Sequence, residues 1–375
     1  MTENGASFET GIFNESIETW KKEGKKTIGT ICCHVPEEII HAAGMLPIRI
    51  RATGCTDDSN AEVWMSSFSC SFARSCLQLF LDGTYGFLDG IVGSDGCLMA
   101  QRLFDNLNNQ FRDLYQRLVV VPRMHTARAI PFYREELEKF RTDMEKISGV
   151  AITEEKLLHS IEVYNETRRL IRELYDLRKG AAPLVSGEES LKITLAAMSM
   201  PKEQFNKALS GFLREAAKRE PPKGGGVRLM LVGSTLDDPE YVRIVEEKGG
   251  FIVTDVQCYG SRYLWEPTVL GDGDALDSLA RSYLARPVCP RMCNMHSELY
   301  DFIMGMAKDF SVDGVLYVKM KNCDLWGGES VHIDDKLKAA KMPLLTVERE
   351  EIMTNVGQLA VRAEAFIEMI EGGVS

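Results

Sequence analysis

Ten cysteines stand in this 375-residue chain, at positions 32, 33, 55, 70, 76, 97, 258, 289, 293 and 323. A thiolate is a nucleophile and a soft metal ligand, so cysteine positions are the first place to look for chemistry. No C-x2-C knuckle and no ferredoxin-like C-x2-C-x2-C run occurs. Any metal group must therefore be assembled from distant loops. The candidates are Cys32 and Cys33, Cys70 and Cys76, Cys97, Cys289 and Cys293 in PVCPRMC, and Cys323. A free cysteine is also a common small buried hydrophobe. On a helix expected over residues 61–82, Cys70 and Cys76 would project to different faces and read as packing. Cys55 and Cys258 lack any supporting pattern and read as structural. Other chemistries are missing: there is no G-x-x-x-x-G-K-[ST] phosphate loop, no G-x-G-x-x-G after a strand, and no paired histidine zinc motif.

The elements that must position these thiols alternate. TIGTICC reads as a short buried strand, PEEIIHAA as a helix with Glu37 and Glu38 in its first turn, and LPIRI as a second strand. After the helix expected over 61–82, LDGIVGSD reads as a strand, residues 97–111 as a helix and RLVVVP as a further strand. Residues 131–220 change to charged amphipathic helices, in one of which Ile161, Tyr164, Leu170 and Leu174 keep close to helical spacing. PPKGGG at 221–226 reads as a linker. Strands VRLMLVGS, GFIVTDV, DGVLYVKM and PLLTVE then alternate with helices expected at 239–248, 274–285, 294–309 and 328–340, and a last helix closes the chain. This is an α/β pattern of two doubly wound, Rossmann- or flavodoxin-like parallel-sheet domains, expected over 1–128 and 221–375, joined by a helical region over 129–220.

The two halves echo each other. Leu88-Asp89-Gly90-Ile91-Val92 runs into Cys97, and Val312-Asp313-Gly314-Val315-Leu316 runs into Cys323. Cys32 closes TIGTIC in a third equivalent place. All three cysteines fall just past the carboxyl end of a buried parallel strand, where open α/β sheets hold their ligands. Three such thiols from two facing domains could converge on one cleft.

Composition narrows the partners. With 44 Lys and Arg against 55 Asp and Glu, the formal charge of −11 disfavours a nucleic-acid footprint. No apolar run is long enough to span a membrane. The start MTENGASFETGIF lacks the basic and apolar regions of a secretory signal, so a cytoplasmic protein with reduced thiols is expected.

IGTICCHVPEEIIHAAGMLPIRI, SSFSCSFARSCLQLFLDG, LDGIVGSDGCLMAQRLFD, VLYVKMKNCDLWGGE and VEREEIMTNVGQLAVRAEAFIE together resemble the 2-hydroxyacyl-CoA dehydratase / benzoyl-CoA reductase family, of the 2-hydroxyglutaryl-CoA dehydratase D-component type. The likeness spans essentially the whole chain and is weakest in the helical middle. It implies two α/β domains clasping an oxygen-sensitive [4Fe-4S] cluster held by three cysteines, with one coordination place left open. Cys97 and Cys323 match the second and third cluster cysteines of the family. Cys32, four residues before Pro36, fits the first, with Cys33 beside it as the other choice.

The resemblance also implies low-potential one-electron chemistry, passing through a ketyl radical on a CoA thioester in the dehydratases and into an aromatic acyl-CoA ring in the reductases. Electrons would come from a separate ATP-hydrolysing iron–sulfur activator. The partner would be a homologous second subunit, or a second copy. Some relatives carry a double-cubane [8Fe-9S] cluster, for which Cys33, Cys70, Cys76, Cys289 and Cys293 could supply extra ligands. A third reading is a subunit that only relays electrons to its partner. If the three cysteines meet, Asp324 and Ser75 are the expected catalytic or substrate-contacting side chains. Ser94, Asp95, Arg74 and Trp326 would line the same cleft. Arg49, Arg51 and Arg102 are placed plausibly for the phosphates of coenzyme A, and solvated surface positions explain them equally well.

Overall fold

The computed structural model describes residues 8–222, 226–286 and 289–373. The first seven residues of the polar start, the centre of the linker at 223–225, and the first two residues of PVCPRMC lie outside them. Two four-stranded sheets organise the chain. The first contains β1 (Thr27–Ile31), β2 (Leu46–Arg49), β3 (Gly90–Ser94) and β4 (Tyr115–Val119) in the order β2-β1-β3-β4. The second contains β5 (Val227–Gly233), β6 (Gly250–Val256), β7 (Gly314–Met320) and β8 (Leu344–Arg349) in the order β6-β5-β7-β8. Every pairing is parallel. The central strands β1, β3 and β5 are buried along their whole length, as expected of parallel sheets with both faces covered.

The sequence echo has a structural meaning. Asp89 precedes β3, and its carboxylate accepts the Thr27 N–H at 2.7 Å while its own N–H donates to the Thr27 carbonyl. Asp313 precedes β7 and does the same for Arg228, at 2.8 Å. Each Asp-Gly thus registers the second central strand of its sheet on the first. At the far end of β5, Gly233 adopts φ 135°, and a Cβ there would collide with the Val318 carbonyl of β7, so only glycine fits.

Helices Ala129–Ser148, Glu154–Asp176, Gly187–Ala197 and Lys202–Ala216 form the middle of the chain. Ile161, Tyr164, Leu170 and Leu174 are buried, as their spacing predicts. Tyr133, Leu137 and Ile161 share one apolar cluster with Val92 of β3 and with Leu279 and Tyr283 of helix Ala275–Leu284. The two halves are also tied directly. Asp237 accepts the N–H groups of Ala52 and Thr53 at 2.7 and 3.0 Å, Tyr259 donates to the Ile50 carbonyl at 2.6 Å, and Ser71 accepts the Glu351 N–H at 2.8 Å.

The single helix expected over 61–82 is two helices, Ser59–Glu62 and Ser71–Leu81. Serines break it. The Ser66 hydroxyl accepts the Phe68 N–H at 3.2 Å, and the Ser66 carbonyl accepts that of Ser69 at 2.7 Å, offering the backbone a turn in place of a helix. Arg74 fixes the bend by donating to the carbonyls of Ser67 and Ser69, both at 2.9 Å. The helix expected to start at 328 begins at Asp324, with Cys323 as its N-cap. Helices Glu15–Lys22 and Ser261–Leu264 are additions to the sequence reading. Among the described residues, no helix is long and apolar enough to cross a membrane.

Candidate functional site

In both sheets the connections reverse direction between the two central strands, β1 and β3 or β5 and β7, and ligands of such folds sit outside the carboxyl ends of the strands at that point. Here the two reversal points face one another. A cavity of about 140 Å³ lies between them, bounded by Ile31 and Cys32 after β1, Gly96 and Cys97 after β3, Ser234 and Thr235 after β5, and Met320 and Cys323 around the end of β7. Phe72, Met99, Leu103 and Trp326 make much of the remaining wall apolar.

Cys32, Cys97 and Cys323 all reach this cavity, and so do Cys70, Cys76, Cys258 and Cys289. Cys32 holds the left-handed conformation, φ 80°, which is rare for a residue with a side chain and signals a functional constraint. Its sulfur lies against Gly96, where a Cβ would approach to 3.1 Å. Cys70, Cys97 and Cys323 are the N-caps of helices Ser71–Leu81, Leu98–Gln110 and Asp324–Ala339. Three helix N-termini therefore converge on the thiols, and the Ala100 N–H donates to the Cys97 sulfur at 3.3 Å. Burial still prevails. It pushes the thiols of Cys70 and Cys97 up to about 12, each helped by its neighbour Cys323. A hydrogen bond with Cys33, then burial, pushes Cys32 well above the usual thiol range against the opposing pull of Ser94 and Arg291. In a dry cavity these groups are thiols, and a bound cation would be needed to draw off their protons.

Several sequence expectations change. Cys258, read as structural, lines the cavity, and its thiol is pulled down by a hydrogen bond with Cys33 and by the Arg262 guanidinium against burial. Arg262 Nη1 lies 3.1 Å from its sulfur. Helical spacing would put Cys70 and Cys76 on different faces, but Cys70 stands before the helix begins, so both reach the cavity. Cys293 is exposed and off the cavity wall, as is the half-buried Cys55. Cys33 is buried behind the wall. Ser75 and Asp324 do not line the cavity. Ser75 is fully buried toward Cys55, and Asp324 is exposed in the first turn of its helix.

The charged candidates divide similarly. Glu37 and Glu38, expected as first-turn acids, are completely buried: Glu38 meets Arg168 at 2.6 Å and Tyr283 at 2.5 Å, and Glu37 accepts from Tyr263. Arg51 donates to the carbonyls of Thr10 and Gly11, and Arg102 is exposed beside Asp105. Arg74 is held by Asp58 at 3.0 Å and Glu350 at 3.4 Å. Arg49 and Trp326 are on the cavity wall. Ser94 is buried beside Cys32, whose thiol its hydroxyl pulls down. Asp95 accepts the Val121 N–H at 2.9 Å and pairs with Arg291 at 3.2 Å. Arg291, which sequence reasoning passed over, also donates to the carbonyls of Gly96, Val121 and Pro122 and so fixes the loop that carries Cys97. Its position between Cys289 and Cys293 in PVCPRMC was the available signal.

Among the described residues, no three histidine, cysteine or carboxylate side chains close on a single metal ion. Thiols spread around a cavity suit a larger group. The donor set is soft, the wall is apolar, and Gly96 leaves room beside the Cys32 sulfur, all of which fit an iron–sulfur cluster better than a lone hard cation.

A family model described as "2-hydroxyglutaryl-CoA dehydratase, D-component" matches residues 32–370. The chain belongs to this family. Relatives of this chain include a benzoyl-CoA reductase subunit of Thauera aromatica, 26% identical over 360 residues, which cover 94% of this chain and 93% of that one. The (R)-phenyllactyl-CoA dehydratase beta subunit of Clostridium sporogenes is 25% identical over 96% of this chain and 97% of its own. The beta subunit of (R)-2-hydroxyglutaryl-CoA dehydratase from Acidaminococcus fermentans is 24% identical over 94% and 95%. The D-component match begins at Cys32 and includes every cysteine on the cavity wall.

Proposed function

We propose that the chain is the iron–sulfur subunit of an acyl-CoA dehydratase or aromatic acyl-CoA reductase, and that Cys32, Cys97 and Cys323 hold a [4Fe-4S] cluster in the cavity. The observation that supports this best is the meeting of these three thiols, from three strand ends in two sheets, on one apolar wall. When bound, such a cluster supplies one-electron and Lewis-acid chemistry that no side-chain acid or base can provide. The chain's own residues do the rest. Phe72, Leu103 and Trp326 exclude water, the strained turn at Cys32 aims its sulfur, and Arg291 holds the Cys97 loop to the first sheet. The chain has no phosphate loop of its own, in keeping with electrons delivered by a separate ATP-hydrolysing activator. A homologous partner, or a second copy, completes the enzyme in a reducing cytoplasm.

A second reading has one observation in its favour. Cys70, Cys258 and Cys289 join the wall, enough thiols for a double-cubane [8Fe-9S] cluster. Anaerobic iron and acid-labile sulfide analysis separates the readings: about four irons per chain for the single cubane, about eight for the double. Cys97→Ser and Cys323→Ser should each lower the iron content sharply, whereas Cys55→Ser should not. Full iron retention in both cavity variants, or none in the reduced native protein, overturns the assignment.

A further inference from the structure

Three buried arginines near the thiols form no close ion pair with a carboxylate among the described residues. Arg49, Arg262 and Arg286 are 3%, 1% and 5% exposed, and each keeps two guanidinium nitrogens without a hydrogen-bond partner among the described residues. Arg168 and Arg291, equally buried, behave in the ordinary way and pair with Glu38 and Asp95. Buried donors are normally satisfied, and a buried charge normally has a counter-charge.

Arg49 is the most telling of the three. It closes β2 on the cavity wall, and its guanidinium lies over the ring of Tyr263 at 4.8 Å and of Tyr259 at 5.9 Å. Both tyrosine hydroxyls are occupied elsewhere, Tyr263 with Glu37 and Tyr259 with the Ile50 carbonyl. Aromatic faces thus hold the cation in place while consuming none of its Nη donors. Burial disfavours its charge, but the nearby Glu37 carboxylate outweighs that and keeps it protonated. Arg262, which does not itself line the cavity, repeats the pattern against two residues that do. It stacks over Trp326 at 5.6 Å and offers one nitrogen to the Cys258 sulfur. The cavity wall therefore carries the Arg49 cation with two unmet Nη donors and no acid among its lining residues, the Glu37 carboxylate that keeps it charged lying off that wall.

We propose that Arg49, seconded by Arg262, is the counter-charge for an anionic resident group in the cavity and favours its reduced, more negative state. This rests on the reading of the cavity as an iron–sulfur site. Three thiolates and sulfide carry more negative charge than their irons neutralise, and each electron added increases the excess. A fixed cation in a low-dielectric pocket stabilises the state with the larger negative charge. Neutralising it moves the midpoint potential down.

The test uses the full chain, purified and loaded anaerobically, with the midpoint followed by spectroscopy during dithionite titration. Arg49→Met and Arg49→Gln should each disfavour reduction at least tenfold, a downward shift of about 59 mV for one electron. Arg49→Lys should restore most of it, and the exposed control Arg102→Met should leave the midpoint in place. Loss of iron in both neutral variants with retention in Arg49→Lys also supports the proposal, because the charge is then needed to hold the group at all. An unchanged midpoint in iron-loaded Arg49→Met or Arg49→Gln overturns it. So does equal loss of iron in the neutral and lysine variants, which would mark a purely structural role. A native chain that takes up no iron is a different result and overturns the reading of the cavity itself.

Discussion

Six residues after Cys32, Glu38 is fully buried and meets Arg168 at 2.6 Å and the Tyr283 hydroxyl at 2.5 Å, joining the cysteine loop to two other helices. Arg168→Met removes the ion-pair partner of that buried carboxylate, leaving it the Tyr283 hydroxyl and the charge of Arg286. Breaking a buried pair from one side costs about 3–5 kcal/mol, because the remaining charge is uncompensated. Glu38→Gln is also costly, since Arg168 then retains only neutral partners such as Asn165 and Thr268. The double variant removes both charges, so its cost falls below the sum of the singles by about 1–3 kcal/mol. Urea unfolding of the four proteins measures this. Additivity to within about 0.5 kcal/mol would refute the claim that the two charges depend on each other.

The same variants carry a pH signature of opposite sign. Burial pushes the Glu38 carboxyl up, but Arg168, Arg286 and Tyr283 outweigh it and hold it below the usual range. In the native protein its contribution to stability is therefore present above the unfolded carboxyl pKa, about 4.3, and is lost only as pH falls through the lower folded value. Without Arg168 only Arg286 and Tyr283 oppose burial, so the folded pKa rises and the variant's carboxyl takes up its proton at higher pH than the native one. Between pH 7 and pH 5 the Arg168→Met protein should gain stability relative to native protein, and the double variant should not. A pH-independent difference between Arg168→Met and native protein over that range would refute the argument.

Two further outcomes are expected. Glu351 is pushed well above the usual carboxyl range by burial and by the Asp237 carboxylate, with Arg349 opposing; its contribution is present below the unfolded pKa and lost as pH rises. Glu351→Gln should therefore raise the urea midpoint at pH 7, with the advantage vanishing below about pH 4.3. In Gly93→Ala the new methyl would lie 2.5 and 2.8 Å from two ring carbons of Phe104, so packing of β3 on helix Leu98–Gln110 should weaken by about 1–3 kcal/mol in the same assay.

The sheets were legible because each central strand is a short, continuous apolar run and because an Asp-Gly pair opens the corresponding strand in both halves. The break in residues 63–70 was hidden, since Val63, Trp64 and Phe68 continue an apolar pattern that the serines override; all three are exposed. The helix start at Asp324 lies four residues before the expected one at 328, because Gly327 and Gly328, poor helix formers, are tolerated inside the helix. Of the cavity thiols, those beyond β1, β3 and β7 could be located from strand ends alone. Cys258 follows β6, an edge strand, and reaches the cavity only through the turn between β6 and helix Ser261–Leu264, for which the sequence carries no comparable rule. Ser75 and Asp324 lie off the cavity wall although each is the chain neighbour of a cavity cysteine: Ser75 is buried toward Cys55, and Asp324 is exposed in the first turn of its helix.

The repeated strand order supplies four equivalent places around the cavity, the ends of β1 and β3 in one sheet and of β5 and β7 in the other. Cysteines follow three of them: Cys32, Cys97 and Cys323. The fourth, after β5, is Ser234, whose hydroxyl accepts the Met320 N–H at 2.9 Å and so closes β5 on β7. Two similar halves brought face to face would otherwise offer a symmetric four-thiol set, closed on all sides. A hydroxyl that is spent on the sheet at the fourth place leaves three soft donors at these four strand ends. Under the proposed reading, that asymmetry is what separates a cluster able to take a further ligand from one that only carries electrons. Ser234, Thr235, Met320 and Arg49 all line this cavity.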